Sequence, residues 1–187
     1  IKRFKCIENL TIGLGNVTVL IGGNNSGKSS VLQALHFATH LYNRVEFVTR
    51  AGRLSGSIRE ADLVGCPVAT IESISFRQTL GRRQANRPQN QLLLKLTDTE
   101  GNEAALELTE GHNRNIQVAS NDGPLVTQMR DRERTYAIFV PGLAGITPSE
   151  PMQSSGVVRT TVARGDANLV LRNVLRMLHQ DRAHWRL

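Results

Sequence analysis

One uninterrupted stretch, Gly22-Gly23-Asn24-Asn25-Ser26-Gly27-Lys28-Ser29, spells a phosphate-binding loop, G-x-x-x-x-G-K-S, directly after the apolar run Val17-Thr18-Val19-Leu20-Ile21. Such a loop works between a strand and a helix, so the stretch predicts a buried parallel strand over 17–21 and a helix opening at the loop's end. Glycines at both ends let the backbone curl around a polyphosphate, with successive N–H groups and the helix N-terminus facing the anion. In that frame Gly22, Gly23, Asn24, Asn25, Ser26 and Gly27 form the nest and Lys28 is the catalytic cation, bridging the β- and γ-phosphates. The Ser29 hydroxyl takes one position on Mg²⁺, and Ser30 sits where a hydroxyl reaches the α-phosphate.

The following residues agree. From Ser29 to Tyr42, the residues Val31, Leu35, Ala38 and Tyr42, with Leu32, Ala34 and Leu41 beside them, form a broad apolar face at helical spacing, which predicts burial against a sheet. His36 and His40 have a spacing that can hold a metal, but no acidic or cysteine partner is near in sequence, and they read as histidines on the helix surface.

With 187 residues and 40% hydrophobic content, the chain has room for one sizeable core or one large lobe of a bigger domain. No apolar stretch approaches the ~20 residues of a membrane helix and the first residues lack a secretory pattern, so a cytoplasmic location is the expectation. Cys6 and Cys66 are too few for a disulfide framework and read as buried or incidental thiols. A net charge of +7 suits contact with DNA phosphates, with a nucleotide or with an acidic partner domain. The densest cluster, Arg77, Arg82, Arg83 and Arg87, falls in a polar stretch read as a loop, either a solvated hairpin tip or a contact for DNA or a partner.

The order of elements narrows the fold. Phe4, then Leu10, Ile12 and Leu14 in alternation, predict one or two hairpin strands over 1–14. Strand-like alternation recurs at Ile71–Leu80, Gln91–Thr97, Ala104–Thr109 and Asn115–Ala119, and turn residues such as Asp98-Thr99-Glu100-Gly101-Asn102 make an antiparallel meander the economical arrangement. Tyr136–Val140 is a further apolar run, stopped by Pro141-Gly142. The expected organisation is a phosphate-loop core over 1–43, an irregular excursion over 44–69, the meander over 70–120, a final strand and loop over 135–165, and a helix over 166–182. In that helix Asp166 is the N-cap, and Leu171, Val174, Leu175 and Leu178 form the apolar stripe. This is an α/β fold, a P-loop NTPase with an antiparallel β-meander and a mixed sheet around the loop helix, unlike the regular β-α alternation of a kinase or GTPase.

The opening Ile1-Lys2-Arg3-Phe4-Lys5-Cys6-Ile7 and the run from Val19 through the loop to Leu35 resemble the N-terminal half of SMC/RecF-like ATPases of the ABC class. Asn24-Asn25-Ser26-Gly27-Lys28-Ser29-Ser30 is most similar to the overcoming-lysogenisation-defect (OLD) nucleases and related ATPases of bacterial anti-phage defence. Phe139–Ile146, Arg164–Asn168 and Leu171–Leu175 look like that group too. The resemblance implies an ABC/SMC-type head in which two ATPs are sandwiched between two heads, opened by hydrolysis, acting on DNA with a nuclease or toxin effector. Alternatively, it implies a nucleotide-bound scaffold that restrains an effector, with little turnover. ATP is implied by the resemblance alone, because the loop reads phosphates and not the base and by itself leaves GTP open. The resemblance also places Lys5 or Cys6 near the nucleoside. Relatives carry a glutamine, sensing Mg²⁺ and the γ-phosphate, after the strand that ends the meander; here Pro141 and Gly142 stand there and the first glutamine is Gln153. The family's signature loop, its strand ending in Asp-Glu and its switch histidine have no counterpart in this sequence. With Trp185-Arg186-Leu187 ending without a glycine cap or breaker, the expectation is part of a longer protein, continuing into a helical insertion and the second half of the head.

Overall fold

The computed structural model of the chain describes residues 1–63, 66–68, 72–78, 80–81, 90–111, 115–132, 136–137, 149–164 and 166–180. The predicted meander is its centre: β5 (Leu92–Thr97), β6 (Glu103–Glu110) and β7 (Asn115–Asn121) run antiparallel, with Leu94 opposite Leu106 and Leu108 opposite Val118. Period-two alternation sends Leu92, Leu94, Ala104, Leu106, Leu108, Ile116 and Val118 into the core. The other face carries Lys95, Glu103, Glu107 and Gln117 and is solvated. Between β5 and β6, Asp98 Oδ1 accepts the N–H groups of Glu100 (2.9 Å) and Asn102 (2.8 Å), which closes the turn read from the sequence.

Seven strands make one sheet in the order β2-β1-β5-β6-β7-β4-β3, with β1 (Lys2–Phe4), β2 (Ile7–Asn9), β3 (Val48–Arg50) and β4 (Arg53–Arg59) completing it. Every pairing among them is antiparallel, so the sheet is not mixed. The expected parallel strand over 17–21 is not formed: Val17, Val19 and Ile21 are 85%, 73% and 91% exposed. A strand apolar on both faces is stable only with ladder partners on its edges, and none of the seven strands pairs with this one.

The stretch 44–69 is also not an irregular excursion. It holds the β3–β4 hairpin, turning at Ala51 and Gly52 with φ of 48° and 73°, and β4 pairs with β7 from Arg53↔Asn121 to Arg59↔Asn115. Its inward positions are Leu54, Gly56 and Ile58, and the small middle residue hides the alternation. A Cβ on Gly56 would lie 2.5 Å from Val45 Cγ1 and 2.7 Å from the Glu46 carbonyl oxygen, because the chain leaving the first helix crosses there. The described part of the expected strand Ile71–Leu80, residues 72–78 and 80, is not a strand either. It forms the 3-10 turns Glu72–Ile74 and Phe76–Gln78, with Arg77 and Gln78 at positive φ, and meets the β1 end of the sheet through a Phe4↔Ser75 bridge, the Lys5 N–H to Ile74 carbonyl bond and the buried Ile74 side chain.

Helix α1 (Lys28–Arg44) covers the buried face with Val31, Ala34, Phe37, Ala38, Leu41 and Tyr42. The face is rotated slightly from the expected one: Leu35 is half-buried and Leu32 is 46% exposed, while Phe37 lies against Phe4. Buried Tyr42 places its hydroxyl 2.8 Å from Ser120 Oγ on β7. A helix not foreseen, α2 (Pro124–Arg130), packs beside α1 through Leu125, Val126 and Met129, with Pro124 in its first turn.

The expected final strand and loop over 135–165 contains α3 (Ser155–Arg164); residues 138–148, including most of the apolar run, lie outside the described residues. The last helix, α4 (Leu171–Gln180), starts later than the sequence suggested. Asp166 instead precedes the 3-10 turn Ala167–Leu169 and makes no side-chain cap bond. Val158, Val162, Ala167 and Val170, with Val174 and Met177, form a second small core, whereas Leu175 of the expected stripe is 55% exposed.

Gly56→Ala should lower stability by about 1–3 kcal/mol in urea unfolding, since the added methyl must displace backbone. Gly13→Ala, where a Cβ would meet nothing within 4 Å, serves as the neutral control. Equal midpoints for the two variants would refute the crossing as the reason for the glycine.

Candidate functional site

The loop Gly22–Ser30 sits at the open N-terminus of α1. Gly27 caps the helix at φ 91°, a left-handed conformation that a side chain strains, and Asn25 is also left-handed at φ 63°. The first intrahelical bond, Val31 N–H to Gly27 O, is 3.0 Å, which leaves the preceding N–H groups of the first turn directed outward. No acidic residue occupies that turn. The end of α1 therefore presents partial positive charge with no carboxylate in its own first turn to neutralise it, the condition for holding an anion.

Lys28 folds back over this mouth. Its Nζ donates to the carbonyl oxygens of Gly22 (2.8 Å) and Gly23 (2.6 Å) and lies 3.4 Å from Ser26 Oγ. The ammonium makes no ion pair among the described residues, so its full charge adds to that of the helix end. Ser29 is exposed beside it and Ser30 is buried. The structure thus brings Gly22, Gly23, Asn24, Asn25, Ser26, Gly27, Lys28, Ser29 and Ser30 into one curved strand-less loop and helix start.

The turn between β1 and β2 lies under the loop. Cys6 Sγ is 3.4 Å from Ser30 Oγ and 3.3 Å from where a Cβ on Gly27 would stand. Lys5 Nζ donates to Gln33 Oε1 at 2.8 Å, and burial holds the Lys5 ammonium below its ordinary pKa, with the nearby Cys6 and Cys66 thiols acting in the opposite direction. Of the two cysteines read as buried or incidental thiols, Cys6 is exposed and Cys66 is buried, which pushes its thiol pKa up.

Gln153 is tied by its backbone to the last helix. Its N–H donates to Asn173 Oδ1 (3.0 Å) and its carbonyl accepts from Arg176 Nη2 (3.4 Å), so its described hydrogen bonds run to α4. The same segment supplies the carboxylate that caps α4. Glu150 accepts the N–H groups of Arg172 and Asn173, both at 2.8 Å, and the Asn173 side-chain amide. Desolvation is the largest single influence on Glu150 and raises its pKa, but the hydrogen bonds from Asn173 and Arg172 and the Arg172 charge together outweigh it and hold the carboxyl below its ordinary value. Sequence spacing could not find this cap, because donor and acceptor are separated by more than twenty residues, far beyond the reach of a local capping box.

His36 and His40 are half-buried rather than on the surface, their rings stacked with centroids 6.5 Å apart. Burial lowers the pKa of both, and the neighbouring His36, Arg44 and Arg159 help push His40 to about 4. Arg77 lays its guanidinium over the Phe76 ring at 5.2 Å, while Arg82, Arg83 and Arg87 lie outside the described residues. No helix among the described residues is long and apolar enough to cross a membrane.

Compared with known proteins, the chain matches one family model, described as an AAA ATPase domain, over residues 1–110. No curated protein and no solved structure matches it.

The histidine pair generates a pH prediction. A His40 pKa of about 4 in the folded protein, against 6.5 ordinarily, means the unfolded chain takes up the proton first as the medium is acidified. The contribution of neutral His40 is complete above 6.5 and is lost as pH falls towards about 4. The urea midpoint of the wild type should drop across that window more steeply than that of His40→Gln; parallel curves would contradict the assignment.

Proposed function

Because the chain belongs to the AAA ATPase domain family, a family of ATP-binding domains, we propose that it is the N-terminal lobe of an ABC/SMC-type ATPase head that binds ATP with Mg²⁺. The observation that carries the reading is the Lys28 ammonium held over a carboxylate-free helix N-terminus inside a G-x-x-x-x-G-K-S loop. In this proposal the N–H groups from Gly22 to Ser30 cradle the phosphates, Lys28 meets the β- and γ-phosphates and Ser29 takes a Mg²⁺ position.

Two features support a lobe rather than a self-sufficient enzyme. The segment Val17–Ile21 is apolar on both faces and exposed, as a central strand is before its neighbours arrive. The first turn of α1 carries no acid, and Lys28 pairs with none among the described residues, so a carboxylate able to polarise water comes from elsewhere. The reading extends to a second head that closes over the nucleotide, in a protein acting on DNA or in anti-phage defence with a nuclease or toxin effector. The motif resemblance to SMC/RecF and OLD proteins supports that extension, and the +7 charge is compatible with nucleic-acid contact. The alternative, a nucleotide-bound scaffold that releases an effector, uses the same loop with little turnover.

Calorimetry on the full-length protein should show Mg-ATP uptake that Lys28→Ala weakens about 100-fold, the size of losing charged hydrogen bonds to phosphate. Absence of uptake, or uptake indifferent to Lys28→Ala, would end the proposal. Gln153→Ala should slow turnover with binding spared if Gln153 serves the γ-phosphate. Unchanged turnover would confine it to the α4 contact.

A further inference from the structure

The phosphate loop is anchored unequally. On its upstream side Val17–Gly23 are solvent-exposed or, at Leu20, half-exposed, and a Cβ on Gly23 would meet nothing within 4 Å. On its downstream side the β1–β2 turn grips the first two turns of α1 at two points. Lys5 Nζ reaches across to buried Gln33, and Cys6 Sγ closes the space beside Gly27 next to the Ser30 hydroxyl. The turn is itself held, with Lys5 at φ 51° and its N–H donating 2.7 Å to the Ile74 carbonyl, and with Phe4 wholly buried just before it. A rigid body thus meets the helix end where the loop turns into α1.

We infer that Lys5 and Cys6 are positioning residues for the phosphate loop, acting through Gln33 and through Gly27–Ser30 rather than by touching the nucleotide. This rests on the nucleotide-binding reading above. The bond direction carries the argument: the Lys5 ammonium is satisfied by an uncharged amide on the helix flank, and the Cys6 sulfur faces the helix cap. A cation poised for the ligand would stay hydrated or face the mouth; a half-buried one bonded to an amide ties two elements together. With Val17–Gly23 largely exposed on the other side, where Gly22 and Gly23 are bonded to Lys28 and Ser26 of the loop itself, the β1–β2 turn is what fixes the orientation of the outward N–H groups of α1 relative to the rest of the fold. Nucleotide affinity then depends on a contact that lies beneath the site.

Mg-ATP titration of the intact protein tests this with a double-mutant cycle. Lys5→Met and Gln33→Met should each weaken binding about tenfold, and the double variant should be no weaker than either alone, since both remove the same tie. Lys5→Arg, which retains a donor of similar reach, should restore most of the affinity. Thermal midpoints and far-ultraviolet circular dichroism accompany each variant. Should Gln33→Met, at a buried position, fail to fold, the exposed Cys6 provides the second arm: Cys6→Leu, pressing on Gly27, weakens binding and Cys6→Ser does not. A loss in Lys5→Met with none in Gln33→Met would mean that Lys5 touches the nucleotide directly, and would overturn the inference. So would unchanged affinity in Lys5→Met or in Cys6→Leu. No uptake by the wild type would instead overturn the nucleotide reading itself, taking this inference with it.

Discussion

Everything at the site depends on α1 serving two solvents at once. Its flank from Val31 to Tyr42 is pressed into the sheet, with Phe37 and Leu41 wholly removed from water, while its first turn must stay open and uncompensated. Burial supplies the stability, of the order of 1.5–3 kcal/mol for each large apolar side chain sequestered. The helix end then needs no carboxylate cap of its own, and its dipole and free N–H groups remain for an anion. Gly27 marks the transition, left-handed where the loop stops and the helix begins. The Tyr42–Ser120 hydrogen bond pins the far end of the same flank to β7, so the axis is held from both ends.

What could be read from the residues follows from how local each signal is. The meander was legible because Leu92, Leu94, Ala104, Leu106 and Leu108 alternate without interruption and Asp98 announces its turn. The loop and its helix were legible because nine adjacent residues carry them. The β3–β4 hairpin was not, since Gly56 stands where an apolar residue would have completed the pattern and arginines crowd its outer face. Ile71–Leu80 misled in the opposite sense: Ile74 is buried as a plug beneath β1, and the left-handed Arg77 and Gln78 break the extension that alternation implied. The Glu150 cap depends on contacts between distant parts of the chain, which periodicity does not register.

The two apolar clusters divide the labour of the chain. The larger unites the sheet, α1 and α2; the smaller belongs to α3, α4 and the turn between them. The smaller unit contacts α1 through helix α3, which brings the Arg159 charge to bear on His40. Its internal order comes from Asn173, which is buried and joins Glu150, Pro151 and the Gln153 amide in one polar knot. Polar knots of this kind specify geometry more than they add stability.

The uncovered Val17-Thr18-Val19-Leu20-Ile21 has a further consequence. It is β-branched, uncharged and free of proline, the composition that stacks readily into cross-β aggregates when its edges stay open. Left open, such a segment is a template onto which other extended chains can pair, which makes the stretch leading into the phosphate loop an aggregation hazard of the fold.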